Sequence, residues 1–183
     1  MAEAPPPHLP LIDALRGVAV LGVIVVHAED LFPFLAYGPG GWAVPLINQG
    51  GFGVQLFFVL SALTLLISWH GRQDPDPTPG FLVRRLFRVV PMFWAALLLY
   101  LVLDGGAPRP FAPGGIAAWQ VVLTALFLHG WHPLATNAIV PGGWSIAAEM
   151  SFYLLFPFLA RGVTNAPRAA AFGLAALALA GAA

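Results

Sequence analysis

The chain has no cysteine and few charged residues. The absence of cysteine excludes disulfide bonds, cysteine-ligated metals and a thiol nucleophile. Charged residues make up only 9% of the 183 residues, whereas a soluble domain carries about 25%. With 59% hydrophobic residues and a mean hydropathy of +0.82, such a chain cannot cover a water-facing surface. The composition therefore favours an integral membrane protein, and the net charge of zero excludes a broad basic field for nucleic acid.

The N-terminal segment lacks the features of a cleavable signal peptide. Residues 1–10 contain Glu3, His8 and four prolines but no basic residue, and no small-residue cleavage site follows the next apolar stretch. We therefore expect residues 1–10 to form a short disordered tail and residues 11–183 to form one membrane domain.

Apolar segments of the length that crosses a bilayer recur along the chain, since a spanning helix needs about 20 such residues. They predict an all-α fold, a multi-pass transmembrane helix bundle with five helices and part of a sixth. The predicted spans are 9–31, 52–69, 81–103, 116–131 and 144–160, and the sixth begins near Ala169. Because that last segment is still apolar at Ala183, we expect the membrane domain to be truncated.

The distribution of arginine predicts the orientation, because cytoplasmic loops carry an excess of basic residues. With these spans, five arginines lie on the side of the N-terminus: Arg16, Arg72, Arg84, Arg85 and Arg88. Three lie on the other side: Arg109, Arg161 and Arg168. We therefore predict a multi-pass protein of the cell membrane with a cytoplasmic N-terminus.

Two ionisable residues share one face of the first predicted helix. Arg16 and His27 are 11 residues apart, which corresponds to about 1100° of helical rotation and about 16 Å along the axis. Asp13 lies three residues before Arg16 and is placed to pair with it. Ionisable residues inside spans are functional candidates by default. The alternatives are an arginine that reaches the head groups and an interfacial histidine near Glu29 and Asp30.

A basic cluster opens the third predicted helix. Arg85 and Arg88 are three residues apart and share a helix face, with Arg84 beside them and Pro91 within the next turn. Because guanidinium groups bind phosphate by paired hydrogen bonds, the cluster predicts a site for a phosphate-rich ligand. The alternative is an anchor on the cytoplasmic side.

Glu149 lies within the fifth predicted helix. Ser145, Glu149 and Tyr153 are spaced four residues apart and therefore line one face, and Trp144 opens the helix. A carboxylate at this depth needs a partner, and we expect an arginine or histidine on a neighbouring helix. The alternative is a structural ion pair that holds the bundle together.

Two histidines flank Trp131 at the end of the fourth predicted helix. The spacing of His129 and His132 could suit a metal, but no third ligand is nearby in the sequence. We interpret both as interfacial residues and predict no metal site.

Four stretches, at 12–27, 51–62, 84–91 and 142–157, occur in the order of a known pattern. They read IDALRGVAVLGVIVVH, GFGVQLFFVLSA, RRLFRVVP and GGWSIAAEMSFYLLFP. In these stretches the chain resembles the acyltransferase 3 family of multi-pass membrane O-acyltransferases. The resemblance implies an enzyme of about ten helices, of which about half are here, that moves an acyl group, often acetyl, from cytoplasmic acyl-CoA to a hydroxyl. Family acceptors include surface polysaccharides, peptidoglycan, other glycans and secondary metabolites such as macrolides.

The resemblance also assigns the family's motif positions to particular residues of this sequence. The family's Arg-x10-His motif falls on Arg16 and His27, its paired arginines on Arg85 and Arg88, and its Trp-Ser and Glu positions on Trp144, Ser145 and Glu149. The chain departs from the family at Ser61-Ala62, where Ser-Gly is usual, and it contains no soluble hydrolase-like domain.

Acyl transfer assigns a role to each candidate. His27 is the predicted general base, because a hydroxyl must lose its proton as it attacks and histidine titrates near neutral pH. The arginines would bind the phosphates of CoA or polarise the carbonyl, Glu149 would orient a base or an arginine, and Asp13 would fix Arg16. An acyl-enzyme on Ser61 or Ser145 remains an alternative, although the sequence places no base beside either.

The predicted partners are acyl-CoA as co-substrate, most simply acetyl-CoA, a hydroxyl-bearing acceptor and the lipid bilayer. No bound cofactor is predicted.

Two other interpretations of the function stay open. Arginine, histidine and glutamate inside a membrane also suit a transporter or flippase, which would show inverted repeats and broken helices. The chain could also be a non-catalytic fragment that only binds partners.

Overall fold

The structure is a computed structural model that describes residues 9–31, 44–72, 74–165, 167–169 and 171. The regular elements within these ranges are helices. In chain order they are α1 (Pro10–Leu31), α2 (Val44–Gly50), α3 (Gly53–His70), α4 (Thr78–Asp104), α5 (Ala118–Ala125), a 3-10 helix (His129–Trp131) and α6 (Trp144–Gly162). The chain divides into two compact units, Met1–Gln73 and Asp74–Ala183.

The predicted all-α membrane fold is confirmed. Within the described ranges, three helices are long and apolar enough to cross a membrane: Pro10–His27, Gly53–His70 and Thr78–Asp104. Helix α6, which the sequence predicts as the fifth span, is not among them, because Glu149 and other polar residues lower its mean hydropathy. Proline and glycine set the ends of α4, because Pro77 precedes the helix and Gly105 follows it in the left-handed conformation, at φ 55°. The predicted sixth helix lies almost wholly outside the described residues, as do residues 1–8 of the predicted tail.

In the first unit, α1 and α3 are antiparallel and their backbones are in direct contact. A Cβ atom added to Gly53 would lie 2.5 Å from the carbonyl oxygen of Ala19, and one added to Gly50 would lie 2.5 Å from that of Gly22. These positions accept no side chain, and small residues allow helices to approach this closely. As the chain advances on α1 from Ala19 to Gly22, its neighbour moves back from Gly53 to Gly50, so the two helices run in opposite directions.

In the second unit, α4 and α6 are antiparallel and pack through aromatic rings. Phe81, near the start of α4, stacks on Phe156, near the end of α6, with ring centroids 4.9 Å apart. At this same end, Nη2 of Arg161 donates to Oδ1 of Asp76 at 3.0 Å and to Oγ1 of Thr78 at 2.7 Å. Arg161 therefore joins the last turn of α6 to the first turn of α4.

The predicted fourth span, at 116–131, is wrong as a single helix. Helix α5 has eight residues and is about 12 Å long, less than half of a hydrocarbon layer of about 30 Å. Phe127 then takes a positive φ of 60°, which an α-helix does not allow, and the 3-10 helix follows. Gln120 is buried beside this break and donates from Nε2 to the carbonyl of Leu134 at 2.5 Å.

The broken segment also corrects the predicted side of Arg161. The prediction placed Arg161 and Arg168 opposite the basic cluster of α4, because it counted residues 116–131 as one crossing. In the structure α6 runs back to the start of α4, so Arg161 lies at the end of the unit where α4 begins. Arg109 follows the other end of α4 and is joined to Asp104 there by an ion pair.

Candidate active site

The predicted pair on the first helix lies on one uninterrupted element. Helix α1 runs from Pro10 to Leu31, so Arg16 and His27 have the helical spacing that places them on one face. His27 is exposed, whereas Arg16 is half-buried. The side chains of Glu29 and Asp30, which the interfacial interpretation of His27 invoked, lie outside the described residues.

Arg16 contacts two side chains. Its Nη2 donates to Oγ1 of Thr64 on α3 at 2.5 Å. Its Nη1 lies 3.9 Å from Oδ1 of Asp13, so the predicted ion pair is present but is longer than a hydrogen bond. Thr64 was missed from the sequence, where a single hydroxyl within an apolar run gives no signal of its partner.

The paired arginines of α4 lie in different surroundings. Arg85 is half-buried, and its guanidinium carbon lies 5.8 Å from the ring centre of Phe81 and 5.6 Å from that of Tyr153. A cation at this distance is attracted to the face of an aromatic ring. The Nε of Arg85 is buried without a hydrogen-bond partner among the described atoms. Arg88, one turn along, is exposed and so offers its whole guanidinium to a ligand.

Glu149 is bonded within its own helix. The hydroxyl of Tyr153 donates to Oε1 of Glu149, one turn earlier on α6. Tyr153 is 5% exposed and meets the edge of Phe81. Tyr153 thus contacts Glu149 through its hydroxyl and Arg85 through its ring. The hydrogen-bond partner of the carboxylate among the described residues is therefore a tyrosine of α6, while Arg85 of the neighbouring helix α4, the kind of partner that we expected, lies close enough to interact with it electrostatically.

The hydroxyl of Ser145 is bonded to the backbone at the start of its own helix. Its Oγ donates to the carbonyl of Gly142 at 2.9 Å, and the same carbonyl accepts from the backbone N–H of Ser145. Trp144, beside it, is partly exposed at 39%. This geometry gives no support to an acyl-enzyme on Ser145.

His129 is buried, and its interpretation as an interfacial residue is wrong. It is 1% exposed and stacks on Phe93 of α4, with ring centroids 5.4 Å apart. Its Nε2 lies 2.9 Å from the carbonyl oxygen of Gly143, the residue before α6. His132 is exposed and meets the ring of Trp119 edge-on. Within the described part of the chain, no group of three or more metal-ligating side chains occurs.

Each unit contains an apolar groove. The groove of the first unit measures about 340 Å³ and lies between α1 and the Gln49–Leu56 region. That of the second unit measures about 690 Å³ and is lined by α4, the break after α5 and the middle of α6, including Trp94, Phe127 and Leu154. None of the sequence-predicted site residues lines either groove, so neither suits the phosphates of a CoA donor.

One known protein family matches almost the whole chain, including all of the candidate residues above. A family model described as an acyltransferase domain matches residues 9–182, and the chain belongs to this acyltransferase 3 family. The resemblance inferred from the four sequence stretches is confirmed. No solved structure matches the chain.

The matching relatives include two kinds of acyltransferase. Acyltransferase MdmB of Streptomyces mycarofaciens is 30% identical over 164 residues, which cover 87% of this chain and 41% of the relative. O-acetyltransferase OatA of Staphylococcus aureus is 31% identical over 170 residues, covering 84% of this chain and 25% of the relative. A putative O-acetyltransferase of the same organism is 26% identical over 166 residues. The chain thus spans less than half the length of these relatives.

Proposed function

We propose that the chain supplies acyl-transfer machinery to an integral-membrane O-acyltransferase, which moves an acyl group from acyl-CoA to a hydroxyl of a glycan or other small or surface acceptor. Family membership and the names of the relatives support the reaction class. The observation that carries the proposal is the placement of Arg16 and His27 on one face of the continuous helix α1.

His27 acts as general base. Its imidazole takes the proton of the acceptor hydroxyl as the hydroxyl oxygen attacks the thioester carbonyl, since a neutral hydroxyl is a weak nucleophile. A carbon–oxygen bond forms, the carbon–sulfur bond breaks, and the proton passes to the departing thiolate of CoA. The exposure of His27 leaves its ring accessible to an acceptor.

The arginines stabilise negative charge. Arg16 lies about 16 Å along α1 from His27 and is therefore out of reach of the carbonyl that the acceptor attacks, so its fixed charge binds a phosphate group of the donor. Arg88, which is exposed, and Arg85 bind the phosphates of the donor. Tyr153 holds Arg85 through its ring and Glu149 through its hydroxyl, so the carboxylate orients the arginine indirectly.

The test of the proposal is His27→Ala in the full-length protein in membrane vesicles. The acyl group transferred from labelled acetyl-CoA to acceptor is measured, and we expect a loss of roughly a hundredfold or more, the usual contribution of a general base. His70→Ala is the matched control, because His70 is an exposed histidine at the end of α3 whose Nδ1 lies 3.0 Å from the carbonyl of Leu66. Unchanged transfer in His27→Ala would refute the assignment.

The orientation follows from each unit separately. In the first unit, Arg16 near the start of α1 and Arg72 just after α3 lie at one end of the antiparallel pair, and the other end has no arginine. In the second unit, the end where α4 begins and α6 finishes carries five arginines, and the other end carries only Arg109. By the positive-inside rule, we infer that the arginine-rich ends and the N-terminus are cytoplasmic, where acyl-CoA is made available.

Single cysteines test this orientation, because the chain contains none of its own. Gly114→Cys lies in the loop after α4, and Ala169→Cys lies beyond α6. A membrane-impermeant maleimide is expected to label Gly114→Cys in intact cells and Ala169→Cys only in permeabilised cells. The reverse pattern would contradict the orientation. Labelling of both cysteines in intact cells would contradict the placement of the end of α6 on the side where α4 begins.

A further inference from the structure

We propose that Thr64 is a positioning residue that holds the guanidinium of Arg16 in its working orientation. The inference rests on the role proposed above for Arg16. Thr64 lies on α3, on a different helix from the Arg16–His27 pair, and it belongs to none of the sequence motifs. It makes the hydrogen bond to Arg16 that the structure shows, at 2.5 Å.

The hydroxyl of Thr64 has its hydrogen directed away from Arg16. Its Oγ1 lies 3.1 Å from the carbonyl oxygen of Leu60 and 3.0 Å from that of Ser61, so it donates into the backbone of its own helix. A hydroxyl has one hydrogen and two lone pairs. A lone pair of Oγ1 is therefore left to accept from Arg16. Because the hydroxyl hydrogen is bonded to a carbonyl of α3, the direction of this lone pair is fixed.

A neutral partner suits an arginine that must act on an anion. A carboxylate bonded to the guanidinium would neutralise its charge and compete with the ligand, whereas a hydroxyl orients the group and leaves its charge in place. The nearby carboxylate of Asp13 stays at 3.9 Å and is more exposed than Arg16, with 54% of its side chain accessible against 31%. An exposed pair at this distance gives little orientation.

Donors of Arg16 remain for a ligand. Thr64 uses Nη2, and Nε is buried with no hydrogen-bond partner among the described atoms. A buried donor without a partner costs free energy unless a ligand or water satisfies it. A ligand cannot reach this enclosed Nε, so the donor left for a bound anion is Nη1, which lies 3.9 Å from Asp13 and has no hydrogen bond among the described residues.

The spacing between Thr64 and Arg16 is fixed by the backbone. Gly53 lies against the carbonyl of Ala19, one turn from Arg16. The backbones of α1 and α3 therefore cannot come closer to each other at this point. A site works well when its supporting residues lie on rigid elements. Arg16 and Thr64 thus lie on two helices that are in backbone contact at Gly53, and the 2.5 Å hydrogen bond joins these helices again further along α3.

The experiment compares three variants of the full-length protein in membrane vesicles. Thr64→Val keeps the shape and removes the hydroxyl, Thr64→Ser restores the hydroxyl, and Thr124→Val removes a hydroxyl that donates to the carbonyl of Gln120 and has no arginine partner. For transfer from labelled acetyl-CoA, we expect kcat/KM to fall about tenfold in Thr64→Val, mostly through a higher KM for acetyl-CoA, because the bond that holds the donor-binding Arg16 is lost. Thr64→Ser and Thr124→Val should stay within about twofold of the wild type.

A double variant separates positioning from packing. In an Arg16→Ala background, Thr64→Val should cause no further loss of kcat/KM, since the two residues act as one unit. Equal losses in Thr64→Ser and Thr64→Val, or full additivity with Arg16→Ala, would overturn the proposal.

A chemical readout keeps the inference distinct from the proposed function. Modification of Arg16 by phenylglyoxal, followed by peptide mass spectrometry, needs no activity. We expect it to be several times faster in Thr64→Val than in the wild type or in Thr64→Ser. An unchanged rate overturns the role of Thr64. A changed rate in a protein that transfers no acyl group would refute the proposed function and leave the anchoring of Arg16 intact.

Discussion

The two units hold an arginine of a long apolar helix in different ways. In the first, the helix backbones touch at glycine, and a short threonine side chain reaches Arg16 with a hydrogen bond. In the second, aromatic rings separate the helices, and Arg85 lies against the rings of Phe81 and Tyr153. The hydrogen bond holds the guanidinium in one orientation, whereas the face of a ring attracts a guanidinium in several orientations.

This difference fits the roles proposed for the two arginines. Arg16, held in one direction by a hydrogen bond, suits a phosphate group of the donor that is bound in one fixed position. Arg85, supported by ring faces beside the exposed Arg88, suits phosphate groups that move with the flexible donor. Helix separation thereby decides which kind of support an arginine can have.

The largest effect is expected from separating the helices of the first unit. In Gly53→Ala the new Cβ would lie 2.5 Å from a backbone oxygen that no rotamer change can move. We expect a loss of about 3 kcal/mol in the free energy of unfolding, typical of overpacking. Gly114→Ala is the control, since its Cβ meets nothing within 4 Å. Thermal unfolding in nanodiscs measures both, and equal stability of the two variants would show that close contact is not what holds this unit.

A smaller effect is expected from removing the hydroxyl that links the aromatic support to Glu149. Tyr153→Phe keeps the ring against Arg85 but leaves Oε1 of Glu149 without its described donor. We expect a loss of about 2 kcal/mol, the usual value of a hydrogen bond to a charged group. Tyr100→Phe is the control, because its ring also faces an arginine, Arg109 at 6.0 Å. If Glu149→Gln does not lessen the loss in Tyr153→Phe, then the hydroxyl acts other than through the carboxylate.

The smallest effect is expected at the contact of Arg161 with Asp76 and Thr78. Hydrogen bonds from the side chain and backbone of Thr78, with Arg161 nearby, lower the pKa of Asp76 below its ordinary value of 3.8. A carboxylate with a lowered pKa stabilises the fold fully above that ordinary value and loses its contribution as the pH falls through the lowered pKa. Because the contact is exposed, Asp76→Asn should destabilise less than either change above.

The pH dependence of that variant is the measurement. The difference in stability between the wild type and Asp76→Asn should be constant from neutral pH down to about 5 and should shrink below 3.8. A difference that persists at the acid end would mean that Asp76 acts through its shape and not through its charge.

The helices α1, α3 and α4 could be predicted from the sequence because their hydropathy reports them directly, and α6 because its less apolar run begins and ends at glycine-rich and charged residues. The described bounds of α1, α3, α4 and α6 differ from the predicted ones by at most three residues. The break after α5 could not be predicted, because residues 116–131 are as apolar as a spanning helix. The interruption is a backbone conformation at Phe127, which is stabilised by tertiary contacts such as its ring against Phe93.

The candidate residues and the pairing of Asp13 with Arg16 could be predicted, but the hydrogen-bond partners Thr64 and Tyr153 could not. A charged residue in an apolar run is visible in the sequence, as Arg16 and Glu149 show. Their described partners, Thr64 and Tyr153, are common residues that gain meaning only when a neighbouring helix or the next turn brings them into contact. The side of Arg161 was missed for the same reason, since it depends on how many times the intervening chain crosses.

The shortness of α5 has a consequence for the synthesis of the protein. A nascent segment of eight helical residues is too short to be retained in the translocon as a crossing of its own. We therefore expect α4 and α6 to enter the bilayer as one hairpin. Insertion of α4 would then be completed only after residues up to Gly162 have been synthesised. A reporter fused after Asp104 and one fused after Trp131 should then face the same compartment, and one fused after Gly162 the opposite compartment.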